Sequence, residues 1–127
     1  MKTSKNAIVW AEIPVLNFDR AKEFYSKLLD SQLYEQVMGK HRMGFLPMDP
    51  DSNGVGGAIV QGEGCTPSSL GTRVFLDAGD DLKPVLDRVE FAGGIVIIPK
   101  TLITEEIGYF ALFEDTEGNH VGLHSKK

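Results

Sequence analysis

The side chains whose types and spacing could do chemistry are few. His120-Val121-Gly122-Leu123-His124 alternates in the manner of a strand. Successive strand residues point to opposite faces, so His120, Gly122 and His124 share one face while Val121 and Leu123 take the other. Imidazole carries protons near neutral pH and is the commonest protein ligand for metals. Carboxylates that can join this face are Glu12 and Asp77, on the strand-like runs Ala7 to Val15 and Thr72 to Asp77. Two imidazoles and one carboxylate suit iron, nickel or zinc, so Glu12, His120 and His124 form one candidate divalent-metal set. A different chemistry is offered by Trp10, Glu12, Arg73, Phe75 and His120, with Phe113 or Tyr109 as further wall. Aromatic walls with a few converging polar groups hold small organic ligands. Trp10 can stack on a planar or cationic molecule, and Arg73 can clamp a carboxylate or phosphate. Arg73 is more readily expected to be tied up in a structural ion pair with Glu12 or Asp77 across the sheet. Cys65 is the only cysteine, sits in a Gly/Ser/Pro-rich stretch and reads as a tolerated loop thiol.

These groups need elements to position them. Asn17 is a plausible N-cap for a helix running to about Leu29, with Ala21, Phe24, Tyr25 and Leu28 as its buried stripe. Gln32 to Met38 and His41 to Met48 flank Gly39-Lys40 as a hairpin, and Val55 to Gln61 is a further strand. After a link at 62–71 the pattern restarts with the strand Thr72 to Asp77. Asp80 or Asp81 then caps a helix to Ala92, whose stripe is Leu82, Val85, Leu86 and Val89. Ile95 to Ile98, Gly108 to Glu114 and Asn119 to His124 are strands, and Thr101 to Ile107 is a loop or irregular edge. Asp115, Glu117, Gly118 and Asn119 supply the chemistry of the last turn.

The halves match in order, with Val15 corresponding to Ala78 and Asp30 to Gly93. One helix on one small sheet cannot bury enough apolar area alone, so the halves must share a core. The expected fold is α+β: two βαβββ modules, residues 7–62 and 72–125 of a single 1–127 domain. They form a curved, mostly antiparallel sheet around a concave cavity, with the helices outside. A formal charge of −5 without a Lys/Arg cluster argues against nucleic acid and anionic membranes as partners. The first six residues carry no apolar h-region, and a lone cysteine suits a reducing compartment, so a cytoplasmic location is expected.

A βαβββ unit used twice resembles the vicinal oxygen chelate superfamily of glyoxalase I, extradiol dioxygenases, and fosfomycin- and bleomycin-resistance proteins. The resemblance rests on Ile13-Pro14-Val15-Leu16-Asn17-Phe18-Asp19-Arg20-Ala21-Lys22-Glu23-Phe24-Tyr25, on Val74-Phe75-Leu76-Asp77, on Ala92-Gly93-Gly94, and on Asp115-Thr116-Glu117-Gly118-Asn119. Metal-using members take ligands from the first and last strand of each half. The resemblance then puts ligand positions at Trp10, Arg73 and Gly122, with the fourth on the strand Gly56 to Gln61, which has no Glu, Asp or His. Trp, Arg and Gly do not ligate divalent metals in this manner. The resemblance therefore implies a small-molecule binding protein without the usual metal ligands and with no cofactor, assembled as a homodimer. The alternative is a glyoxalase-related lyase or isomerase, or a dioxygenase-like enzyme, with a divalent metal relocated to Glu12, His120 and His124.

Overall fold

The computed structural model describes residues 3–127. Residues 1 and 2, part of the N-terminal stretch read as lacking an apolar h-region, lie outside the described residues. The first module comprises β1 (Trp10–Pro14), α1 (Phe18–Leu28), β2 (Tyr34–Met38), β3 (His41–Phe45) and β4 (Gly56–Gln61). The second comprises β5 (Phe75–Asp77), α2 (Lys83–Ala92), β6 (Ile95–Thr104), β7 (Gly108–Glu114) and β8 (His120–Ser125). Each module builds its own four-stranded sheet, ordered β1-β4-β3-β2 and β5-β8-β7-β6, with one parallel pair and two antiparallel pairs. The Val15 amide donates to the Val60 carbonyl, and the Ala78 amide to the His124 carbonyl, both at 2.9 Å. That shared step aligns the modules on Val15 and Ala78. It makes Trp10 equivalent to Arg73, and Glu12 equivalent to Phe75.

Helix α1 starts where the sequence says it should: Asn17 is extended, and its side-chain oxygen accepts the Arg20 amide at 3.1 Å. Its stripe, Ala21, Phe24, Tyr25 and Leu28, is fully enclosed. Helix α2 is capped differently from expectation. Leu82 stands at the N-cap position without a side-chain cap, and the helix opens at Lys83 with Pro84 in its first turn. The Asp81 carboxylate accepts the Lys83 amide, while the Leu82 amide donates to Ser125 Oγ on β8, each at 2.9 Å. Strand β6, at the edge of its sheet, runs on to Thr104, so the stretch from Thr101 begins as the expected irregular edge rather than as a loop. Register shifts along its pairing with β7 absorb the irregularity.

One core joins the modules. Ile13, Phe24, Tyr25 and Leu28 from the first pack with Val85, Val89, Phe113 and Leu123 from the second. The turn after β7 locks this arrangement. Tyr25 Oη donates to Asp115 at 2.7 Å, Asn119 Nδ2 donates to the Pro14 carbonyl at 2.8 Å, and Glu117 accepts the Leu16 and Asn17 amides and Arg20 Nε at 2.7–3.0 Å. The link between modules is pinned too, its Ser68 amide donating to Asn119 Oδ1 at 3.0 Å. Among the described residues no helix is long and apolar enough to cross a membrane.

Candidate functional site

Each sheet turns one face to the shared core, which leaves the opposite face to interact with anything else. On sheet β5-β8-β7-β6 the core face carries Ala111, Phe113, Val121 and Leu123. The alternation then sends Phe110, Leu112 and Glu114 of β7, with His120, Gly122 and His124 of β8, to the other side. The expectation that Phe113 or Tyr109 walls the hollow is corrected. Phe113 is fully buried against Phe24 and Tyr25, and Tyr109 packs on the same core. The aromatic that accompanies Phe75 is Phe110, 6.4 Å away in an edge contact. Its signal was present in the alternation, which puts it two residues before Leu112 and opposite His124.

On sheet β1-β4-β3-β2 the free face carries a second apolar cluster. Met43, Ala58 and Val60 are buried there beneath Phe45 and Cys65, so the cysteine contributes to packing. Trp10 lies beside this cluster, 5.9 Å from Phe45, and its indole donates to Glu12 at 3.1 Å. Trp10 is 40% exposed and Phe75 is 50% exposed.

The polar candidates are held separately. His120 Nε2 lies 3.1 Å from Glu114 Oε1, and His124 Nε2 bonds the Ile107 carbonyl at 2.7 Å. Glu12 and His120 line one small cleft of about 40 Å³ with Pro14, Val74 and Asn119. His124 is not part of that lining. Among the described residues no three His, Cys, Asp or Glu side chains gather to hold a metal ion. Arg73 corrects another expectation. It is exposed and makes no ion pair among the described residues; Glu12 accepts from Trp10, and the Asp77 carboxylate accepts the Gly79 amide at 3.0 Å. An open groove of about 600 Å³ runs along α1, lined by Asp19, Lys22, Glu23 and Lys27 and by none of the aromatic candidates.

The Glyoxalase/Bleomycin resistance protein/Dioxygenase superfamily profile matches residues 7–123. The chain belongs to that superfamily. Solved structures share its fold. Glyoxalase I from Zea mays superposes with a TM-score of 0.70 at 17% identity, over 92% of this chain and 43% of the maize chain. The present chain thus spans less than half of that enzyme. TnmS3, an antibiotic binding protein from a Streptomyces species, superposes with a TM-score of 0.68 at 24% identity, over 99% of this chain and all of its own. UcmS2 gives 0.67 at 19% identity, over 98% of this chain. No curated protein matches the chain significantly.

The superfamily's metal can be tested against these residues. Gly122, expected at a ligand position, lies under Phe75: a Cβ there would stand 2.8 Å from Phe75 Cγ and nearer still to other ring atoms. Any side chain at 122 would have to displace that ring. Trp10 and Arg73 bring no metal-binding atoms, so the group does not fit at these positions.

Proposed function

We propose that this chain is a metal-independent binding protein for small organic molecules, working in the cytoplasm as a homodimer. The observation that carries the reading is the pair of half-exposed aromatics, Trp10 and Phe75, on the sheet faces turned away from the core. Large aromatics left open to water on a rigid sheet are an unspent source of binding energy. The antibiotic binding activity named for TnmS3, a relative of the same length class, points the same way.

Cavity size supports the homodimer. A ligand site of drug-like dimensions encloses about 300–1,000 Å³. The one cleft that Glu12 and His120 share measures about 40 Å³, little more than room for water. A second copy laid over these faces would convert open surface into an enclosed site.

The competing reading is a glyoxalase-related lyase or isomerase, or a dioxygenase-like enzyme, with its metal on Glu12, His120 and His124. It draws on the cleft that Glu12 and His120 share. A thermal-shift screen of diverse organic ligands, run beside elemental analysis of tag-free protein, separates the two. Stabilisation by an organic ligand in chelator-treated protein supports the binding reading. A near-stoichiometric transition metal that is lost in His120→Ala replaces it with the enzyme reading. Sedimentation of the same sample as a monomer removes the homodimer.

A further inference from the structure

Gly56 opens β4 and Gly122 lies inside β8, and neither has a positive φ, so the backbone does not require glycine at either place. Aromatic rings do. In register, Trp10 stands beside Gly56 and Phe75 beside Gly122. A Cβ on Gly122 would run into Phe75; one on Gly56 would meet Met48 Sδ at 2.9 Å and Trp10 Cζ3 at 3.2 Å. Each ring therefore rests against bare backbone and keeps part of its surface in water. Each is also braced from the side, Trp10 by Phe45 and Phe75 by Phe110, both at 61°. The Glu12 bond fixes the indole further. A ring immobilised before its partner arrives loses little entropy on stacking.

The charges beside the two rings have opposite sign. Glu12 follows Trp10 by two residues and forms no ion pair among the described residues. Arg73 precedes Phe75 by two residues and is likewise unpaired. Since Trp10 is equivalent to Arg73 and Glu12 to Phe75, aromatic and charge have exchanged places between the modules.

We propose that these are two glycine-seated stacking platforms of opposite electrostatic bias. The Trp10–Glu12 platform takes a planar aromatic group carrying positive charge. The Phe75–Arg73 platform takes a planar aromatic group carrying negative charge. A cation over the indole gains from the ring quadrupole and from the neighbouring carboxylate. An anionic substituent beside Phe75 meets a guanidinium with its donors free. The inference rests on the small-molecule binding reading and adds ligand shape, charge and the residues that select them.

The test titrates the full chain calorimetrically with proflavine, a planar cation, and pyrene-1-sulfonate, a planar anion. Adamantane-1-amine and adamantane-1-carboxylate serve as compact ions of matching sign. Trp10 is the only tryptophan, so quenching of its emission by proflavine reports directly on that platform. Trp10→Leu and Glu12→Gln should each weaken proflavine about tenfold and leave the pyrene anion unchanged, and Phe75→Leu and Arg73→Gln should do the reverse. Glu12 and Arg73 are exposed, and Glu12→Gln removes the charge while keeping a side-chain oxygen for the indole, so the Gln variants carry the test if a ring variant misfolds. Adamantane ions binding as tightly as the planar probes would overturn the proposal, as would variants that change both probes equally or neither. In those cases small-molecule binding stands on any ligand found by the thermal-shift screen, whereas a screen without a single ligand ends both.

Discussion

Removing one hydroxyl, in Tyr25→Phe, tests how the modules are held together. Tyr25 is fully buried on α1, and its Oη donates at 2.7 Å to Asp115, a carboxylate only 4% exposed at the end of the second module's β7. A hydrogen bond to a charged group contributes about 1.5–3 kcal/mol. The carboxylate would not be orphaned by the change. Its Oδ1 keeps the Glu117 and Asn119 amides at 2.9 Å, and its Oδ2 keeps Asn119 Nδ2 at 3.0 Å. The loss should therefore fall at the low end, about 1.5 kcal/mol. In a urea melt at pH 7 that lowers the midpoint by about 0.5–1.5 M, and in a thermal melt it lowers Tm by about 6 °C. There is an alkaline signature as well. Burial first, then the Asp115 charge and hydrogen bond, push the Tyr25 phenol well above its ordinary value. The folded state holds this proton more tightly than the unfolded chain. Its contribution is thus complete below the ordinary tyrosine value, about 10, and is lost as pH rises beyond it. Phenylalanine cannot titrate, so the stability gap between wild type and variant should narrow above about pH 10. A variant within about 0.5 kcal/mol of wild type would refute this account, as would a gap unaffected by alkali.

Glu117→Gln should weaken the same junction with the opposite pH dependence. Burial raises the Glu117 carboxyl, but the Arg20 bond and the Asn17 and Leu16 amides outweigh it and hold the group below the usual carboxylate range. Its contribution is present above the ordinary glutamate value, about 4.3, and is lost as pH falls through the depressed folded value. Urea melts from neutral to strongly acid pH should show the wild-type advantage shrinking in acid; an advantage that grows would be inconsistent. Gly122→Ala should cost about 1–3 kcal/mol, because the new methyl meets the Phe75 ring. Made in a Phe75→Ala background the same change should cost little, and a double-mutant cycle without coupling would show that the ring does not occupy that space.

Much of the fold was legible because it obeys local rules. An asparagine before a three-and-four-spaced apolar stripe specified α1 to within a residue, since capping and amphipathicity act within a few turns. Strict alternation sorted Val121 and Leu123 into the core and left His120, Gly122 and His124 on the other face. The same alternation, carried across the turn into β7, would have selected Phe110 over Phe113.

What the sequence by itself determined is the order of elements, their caps where the capping group is a neighbour, and the two faces of each strand. The tertiary structure alone decided where long-range polar groups go. The turn Asp115–Asn119 reads locally as turn chemistry, yet its side chains reach α1, the end of β1 and the link, about a hundred residues away for Glu117 to Asn17. Ser125, from the last strand, accepts the Leu82 amide at the head of α2, beside the Lys83 amide that the local Asp81 accepts. Arg73 was expected to find an acid, but among the described residues it pairs with neither Glu12, which accepts from Trp10, nor Asp77, which accepts the Gly79 amide. The physical reason is common to all three. A buried or constrained polar group takes whichever partner the packed chain brings within about 3 Å, and sequence proximity limits that choice only inside a turn or a cap.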